Sequence, residues 1–87
     1  MKTITYSKQA LAFLSKIQRA ERQKIITKVK QYAESPEALK NQIKKLKGLS
    51  FYRLRVGDYR IVFDENGLVL NIVKIGHRKD IYRELKQ

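Results

Sequence analysis

Apolar and polar residues alternate over Lys2–Tyr6, which predicts a short first strand. From Ser7 the period changes. Ala10, Phe13, Leu14 and Ile17 recur at helical spacing, so an amphipathic helix is expected to about Gln18, with Ser7 as its N-cap. A second helix is expected from about Ala20 to Ala33, with Ile25, Ile26, Val29, Tyr32 and Ala33 on one stripe. Ser35-Pro36 stops it. So short a link between the two predicts an antiparallel αα-hairpin.

Glu37–Lys47 reads as a connector with room for a helical turn, ended by Gly48. Strict alternation then returns on both sides of Gly57-Asp58, a two-residue turn signal of the β-hairpin type. In that register Val56 faces Tyr59, Leu54 faces Ile61 and Tyr52 faces Phe63, which makes one apolar face. The other face carries Arg55 directly across from Arg60, with Arg53 two residues along. Like charges directly opposite on a sheet are destabilising. A small domain that keeps such a pair has a use for it, and an anion is the natural one.

Asp64–Gly67 is read as a four-residue loop, followed by a buried strand over Leu68–Ile75 that Gly76 breaks. That loop sets Phe63 opposite Leu68 and Arg60 opposite Asn71. Asn71, Val62, Val69 and Val73 then share the arginine face. Asp80–Lys86 is long enough for a short terminal helix. The order is β-α-α-β-β-β with that last helix. It predicts an α+β fold in which an N-terminal strand and an αα-hairpin pack on a mostly antiparallel sheet. At 87 residues the chain is read as one domain, 1–87.

Charge narrows the class of partner. Lys+Arg is 20 against Asp+Glu 8, a formal net charge of +12. Such a balance favours nucleic acid, an anionic membrane surface or an acidic protein. A hydrophobic content of 43% argues for a folded chain over a basic disordered tail. There is no cysteine, hence no disulfide framework or thiolate chemistry, and a reducing cytoplasm fits. One histidine without cysteine argues against a zinc site. No apolar run reaches membrane-spanning length, and no Walker loop, GxGxxG or GxSxG is found. Neither a metal nor an organic cofactor is expected.

The positive charge is concentrated. Lys40, Lys44, Lys45, Lys47, Arg53, Arg55 and Arg60 stand against Asp58 alone between positions 40 and 60. The lysines, with Lys79 and Asn71, are candidates for RNA contact, because flexible point charges suit phosphates. After the last strand come His77, Arg78 and Tyr82. Close together, such groups can offer proton transfer, charge stabilisation and base stacking.

Taken together, Lys47-Gly48, Tyr52-Arg53-Leu54-Arg55-Val56-Gly57-Asp58-Tyr59-Arg60-Ile61-Val62-Phe63 and Ile75-Gly76-His77-Arg78-Lys79-Asp80-Ile81-Tyr82-Arg83 resemble the RelE toxins of the RelE/ParE superfamily. The resemblance extends to chain length, the αα-hairpin and the strand order. It implies a toxin of a type II toxin–antitoxin system that enters the ribosomal A site and cuts the bound messenger RNA without a metal. The nucleotide's own 2′-hydroxyl attacks the adjacent phosphate. By motif position the family's functional residues fall on Arg60, Arg78 and Tyr82. The basic pair of the second strand falls on Arg53 and Arg55, where some relatives have lysine. Arginine stays protonated near neutrality and is a poor general base. That brings in His77, whose side-chain type alone titrates near neutrality when unperturbed.

Two other readings use the same features. A ParE-like relative poisons DNA gyrase through protein contact and needs no nuclease site. A non-catalytic basic RNA-binding module needs only charge and aromatics. A toxin also implies a cognate antitoxin, with acidic and apolar surface and a segment that folds on binding. The ribosome, messenger RNA and rRNA are the other expected partners, with no membrane and no small-molecule cofactor.

Overall fold

The computed structural model describes residues 2–46, 48 and 50–81. Strand β1 (Thr3–Tyr6) is followed by α1 (Lys8–Lys16), α2 (Arg19–Glu34) and a 3₁₀ segment over Pro36–Gln42. Then come β2 (Ile43–Lys45), β3 (Tyr52–Val56), β4 (Tyr59–Asn66) and β5 (Val69–His77). The five strands lie in the order β1-β5-β4-β3-β2. β1 runs parallel to β5 and the other neighbours are antiparallel.

The expected α+β architecture is present, with one strand more than the sequence pattern indicated. Part of the connector is β2, which pairs Ile43 with Leu54, Lys44 with Arg53 and Lys45 with Tyr52. The expected terminal helix lies outside the described residues from position 82 onward.

Ser7 caps α1: its Oγ accepts from the Ala10 N–H at 3.1 Å. Ala10 and Leu14 of α1 and Ile25, Val29, Tyr32 and Ala33 of α2 meet Leu54, Val56, Ile61, Phe63, Leu70, Ile72 and Ile75 of the sheet. Ile25, Ile61 and Ile75 are fully buried, each worth about 1.5–3 kcal/mol over an exposed position. Both helices therefore cover one face. The other face holds a smaller cluster of Leu46, Val62 and Ile81, with Phe51 packed against it.

The β3–β4 hairpin has the expected register, Tyr52 to Phe63, Leu54 to Ile61, Arg55 to Arg60 and Val56 to Tyr59. Gly57 takes φ +57° at its turn. The β4–β5 hairpin differs. Asn66 pairs with Val69, so the turn is Gly67-Leu68, with φ +64° at Gly67, and strand continues through the polar Asp64–Asn66. Opposite Val62 and Phe63 the ladder carries a β-bulge: Val62 pairs with Lys74 and Phe63 with Ile72, leaving Val73 as the extra residue. Arg60 therefore lies opposite Gly76, not Asn71. Nor does Gly76 break the strand, which continues to His77.

The bulge is held from α1. Ser7 Oγ donates to the Val73 carbonyl at 2.6 Å. Gln9 grips Ile75 through both backbone groups, donating Nε2 to its carbonyl at 3.0 Å and accepting its N–H at 2.9 Å. The amide thus extends the ladder past the end of β1.

Candidate functional site

Because successive residues of a strand point to opposite faces, one extra residue swaps the faces of everything beyond it. Past Val73 the swap decides the site. His77 pairs with Tyr59 on the helix-covered face, and the two rings meet edge-on with centroids 6.2 Å apart. His77 shares a small pocket there with Glu21, Lys24 and Asp58. Its Nδ1 accepts from the Lys79 N–H at 3.3 Å. The expected grouping of His77 with the arginines is thus not what the fold builds.

The arginines meet at the Gly57-Asp58 turn. Arg55 and Arg60 are cross-strand partners on the face away from the helices. Arg60 Nη1 donates to the carbonyls of Gly57 and Tyr59, both at 2.9 Å, which lays the guanidinium against the turn. The Arg78 N–H donates to the Asp58 carbonyl at 2.7 Å, so the chain leaving β5 is pinned to the same turn. Arg78 Nε lies 3.5 Å from Asp58 Oδ1. Both side chains of that pair are more than half exposed (52% and 69%), so it contributes at most about 1 kcal/mol and yields readily to a competing anion. The Arg60 and Arg78 guanidiniums at this exposed turn, with Arg55 across from Arg60, are suited to hold a phosphate.

Arg53 sits further along β3, half-buried and opposite Val62. Its Nη1 donates to the Gln42 carbonyl at 3.4 Å, while Arg53 Nε and Gln42 Oε1 are both buried without a partner among the described residues. Exposed Lys44 stands opposite Arg53, and exposed Lys45 opposite Tyr52. Lys79 is exposed beside Arg78. Lys47 and Tyr82 lie outside the described residues.

Asn71 does not join this group. It pairs with Asp64, donating Nδ2 to Oδ1 at 2.8 Å, and its Oδ1 accepts from Thr5 Oγ1 at 2.5 Å. It fastens β1, β4 and β5 well along the sheet from Arg60. Sequence reasoning passed over Lys74, which pairs with Val62 and completes a row Lys44, Arg53, Val62, Lys74 across the sheet. The signal was there: a lysine inside a largely apolar strand.

Gly76 has a packing reason. A Cβ built there would lie 3.0 Å from Ile81 Cδ1, so the missing side chain lets Ile81 fold over the arginine face beside Val62. Away from the site, burial raises the phenol pKa of Tyr6 above its ordinary value. Tyr32 is raised further, first by burial and then by its hydrogen bond to the Glu65 carboxylate and that group's charge. Among the described residues no cluster of three or more His, Cys, Asp or Glu side chains offers a metal site. No described helix is long and apolar enough to cross a membrane.

Comparison with known proteins supplies the class, that of the small toxins of type II toxin–antitoxin systems. The ParE toxin family of the type II parDE system matches residues 4–82. Toxin RelE3 of Methanocaldococcus jannaschii is 43% identical over 63 residues, covering 71% of this chain and 72% of the relative. The RelB-RelE antitoxin-toxin complex from Methanococcus jannaschii superposes with a TM-score of 0.73 at 32% identity, over 90% of this chain and 94% of that one. The archaeal RelE-RelB complex from Pyrococcus horikoshii OT3 gives 0.72 at 25% identity, over 88% and 94%. The chain belongs to the RelE/ParE superfamily and is a toxin of the RelE type.

Proposed function

We propose that this toxin is a ribosome-dependent messenger RNA endonuclease that works without a metal. The observation that carries the reading is the convergence of Arg55, Arg60 and Arg78 on the Gly57-Asp58 turn. In the proposed reaction the 2′-oxygen forms a bond to the adjacent phosphorus and the bond to the 5′-oxygen breaks. The products are a cyclic phosphate and a 5′-hydroxyl. The hydroxyl proton leaves to solvent and the departing oxygen takes one up.

Charge builds on the non-bridging oxygens, where guanidinium forks bind bidentately. Arg60 and Arg78 are assigned that role, with Arg55 and Arg53 aligning the strand. Holding the 2′-oxygen in line can supply roughly 7–11 kcal/mol at best. His77 faces the other way and is not assigned the proton. Tyr82 is proposed, on motif position alone, for proton transfer or base stacking. Lys44, Lys45, Lys47 and Lys79 are proposed as rRNA or messenger contacts.

The similar RelE chains are seen bound to RelB. A cognate antitoxin offering acidic and apolar surface is accordingly proposed as the partner of this +12 chain, in the cytoplasm where ribosomes are. The family match to ParE toxins favours gyrase poisoning as the second reading. Mapping cleavage on translating ribosomes beside a gyrase supercoiling assay separates the two.

A further inference from the structure

Beyond the arginine face lies a second feature, an open groove of about 580 Å³ between α2 and the end of β3. Lys24, Lys28, Gln42 and Arg55 line it over a floor of Ala20 and Val56. We propose that this groove carries the phosphate backbone of a single RNA strand around the outer edge of β3, continuing the path that begins at the arginine face. The proposal rests on the endonuclease reading for its substrate class and adds a site outside the cutting centre.

Three observations support it. First, the groove is cationic: Lys24, Lys28 and Arg55 line it and, among the described residues, no carboxylate does. Lys24 and Lys28 are four residues apart on one side of α2, flanking buried Ile25 and Val29, so both amines lie along the same wall. Second, Arg55 belongs to both places. It pairs with Arg60 on the arginine face and also lines the groove, so one residue joins the two cationic places.

Third, the cations are weakly held. Lys24 lies 3.9 Å from Glu21 in an exposed pair, and Lys28 Nζ is 3.5 Å from Gln31 Oε1. Neither contact resists a phosphate. An acidic peptide is the other chemistry that fits such charge. Continuity with Arg60 favours RNA, because a strand held at the turn must leave past one side of it.

The test uses the full chain and non-cleavable 2′-O-methyl RNA of two lengths, about 4 and about 12 nucleotides, the range one compact fold accommodates. The longer strand should bind more tightly. Lys24→Gln with Lys28→Gln should remove that gain, about tenfold, and flatten the salt slope by about 1.4 for two lost phosphate contacts on a single strand. The short strand should be unaffected, and Lys24→Arg with Lys28→Arg should restore the gain.

If length adds nothing, or the glutamine pair binds the long strand like wild type, the groove carries no RNA. If the pair keeps RNA binding but loses a poly-glutamate peptide, the groove is a protein dock and the proposal is wrong. Arg60→Ala separates this from the reading above. Should it leave the short strand bound while the groove variants still remove the gain, the cutting centre is misplaced and the groove stands.

Discussion

Arg55 and Arg60 lie directly across from each other on the β3–β4 hairpin, and Arg60 turns its guanidinium back onto the Gly57 carbonyl at 2.9 Å. The hairpin keeps two like charges side by side at some cost to its stability. Replacing Arg55 with glutamine should therefore stabilise the protein by about 0.2–1 kcal/mol. The same change should slow messenger cleavage. Denaturant melts read the first effect and single-turnover cleavage on ribosomes the second. Lower stability in this variant would mean that the pair is held by contacts that outweigh its repulsion.

The hairpin was legible because a two-residue glycine turn between alternating runs leaves one register, and all four expected pairs are present. The next strand was not. Leu68–Ile75 carries apolar residues on both faces, so alternation fixes no phase there. The bulge at Val73 is fixed by Ser7 and Gln9, about sixty-six residues away in the chain, through hydrogen bonds no local pattern announces. Its consequence is that His77 faces Tyr59, while the tighter Gly67-Leu68 turn is what sets Asn71 opposite Asp64. β2 was hidden for another reason: a three-residue edge strand rich in lysine looks like solvated connector.

His77→Gln tests the placement of the histidine. With the ring packed against Tyr59 on the helix-covered face, the variant should cleave ribosome-bound messenger at close to the wild-type rate. Its pH profile should superimpose on that of wild type. A loss of about 10²–10⁴ in rate would return His77 to the proton-transfer role.

Ile81 packs where Gly76 has no side chain. Gly76→Val puts two more carbons beyond a Cβ that already approaches Ile81 Cδ1 to 3.0 Å, forcing the isoleucine off Val62. The cost should be about 1–3 kcal/mol, typical of overpacking. Thermal melts give the size, and solvent exchange of the Val62 amide locates it. An unchanged melt would show that the segment after β5 repacks freely.

Tyr32 ties α2 to β4 through Glu65, which Lys2 approaches at 3.5 Å. Tyr32→Phe should cost about 1 kcal/mol, since Glu65 is partly exposed and the net worth of such a bond is small. The pH dependence has a definite sign. The folded phenol titrates above its unfolded value, so its contribution is complete below about pH 10 and is lost as pH rises through the folded pKa. Wild type should therefore lose stability more steeply than Tyr32→Phe on the alkaline side. Parallel slopes would detach the phenol from this linkage.

The central claim is that arginines at the Gly57-Asp58 turn cut messenger RNA on the ribosome. The direct measurement maps 5′-hydroxyl ends on messenger bound to translating ribosomes, with wild type, Arg60→Ala and Arg78→Ala, each verified as folded by circular dichroism. Wild type should cut in the A-site codon, and each variant should cut about 10²–10³ more slowly, the usual loss for one charge-stabilising donor. Gyrase supercoiling should be untouched by all three. Wild-type cleavage rates in either folded variant, or gyrase inhibition without messenger cleavage, would contradict the account.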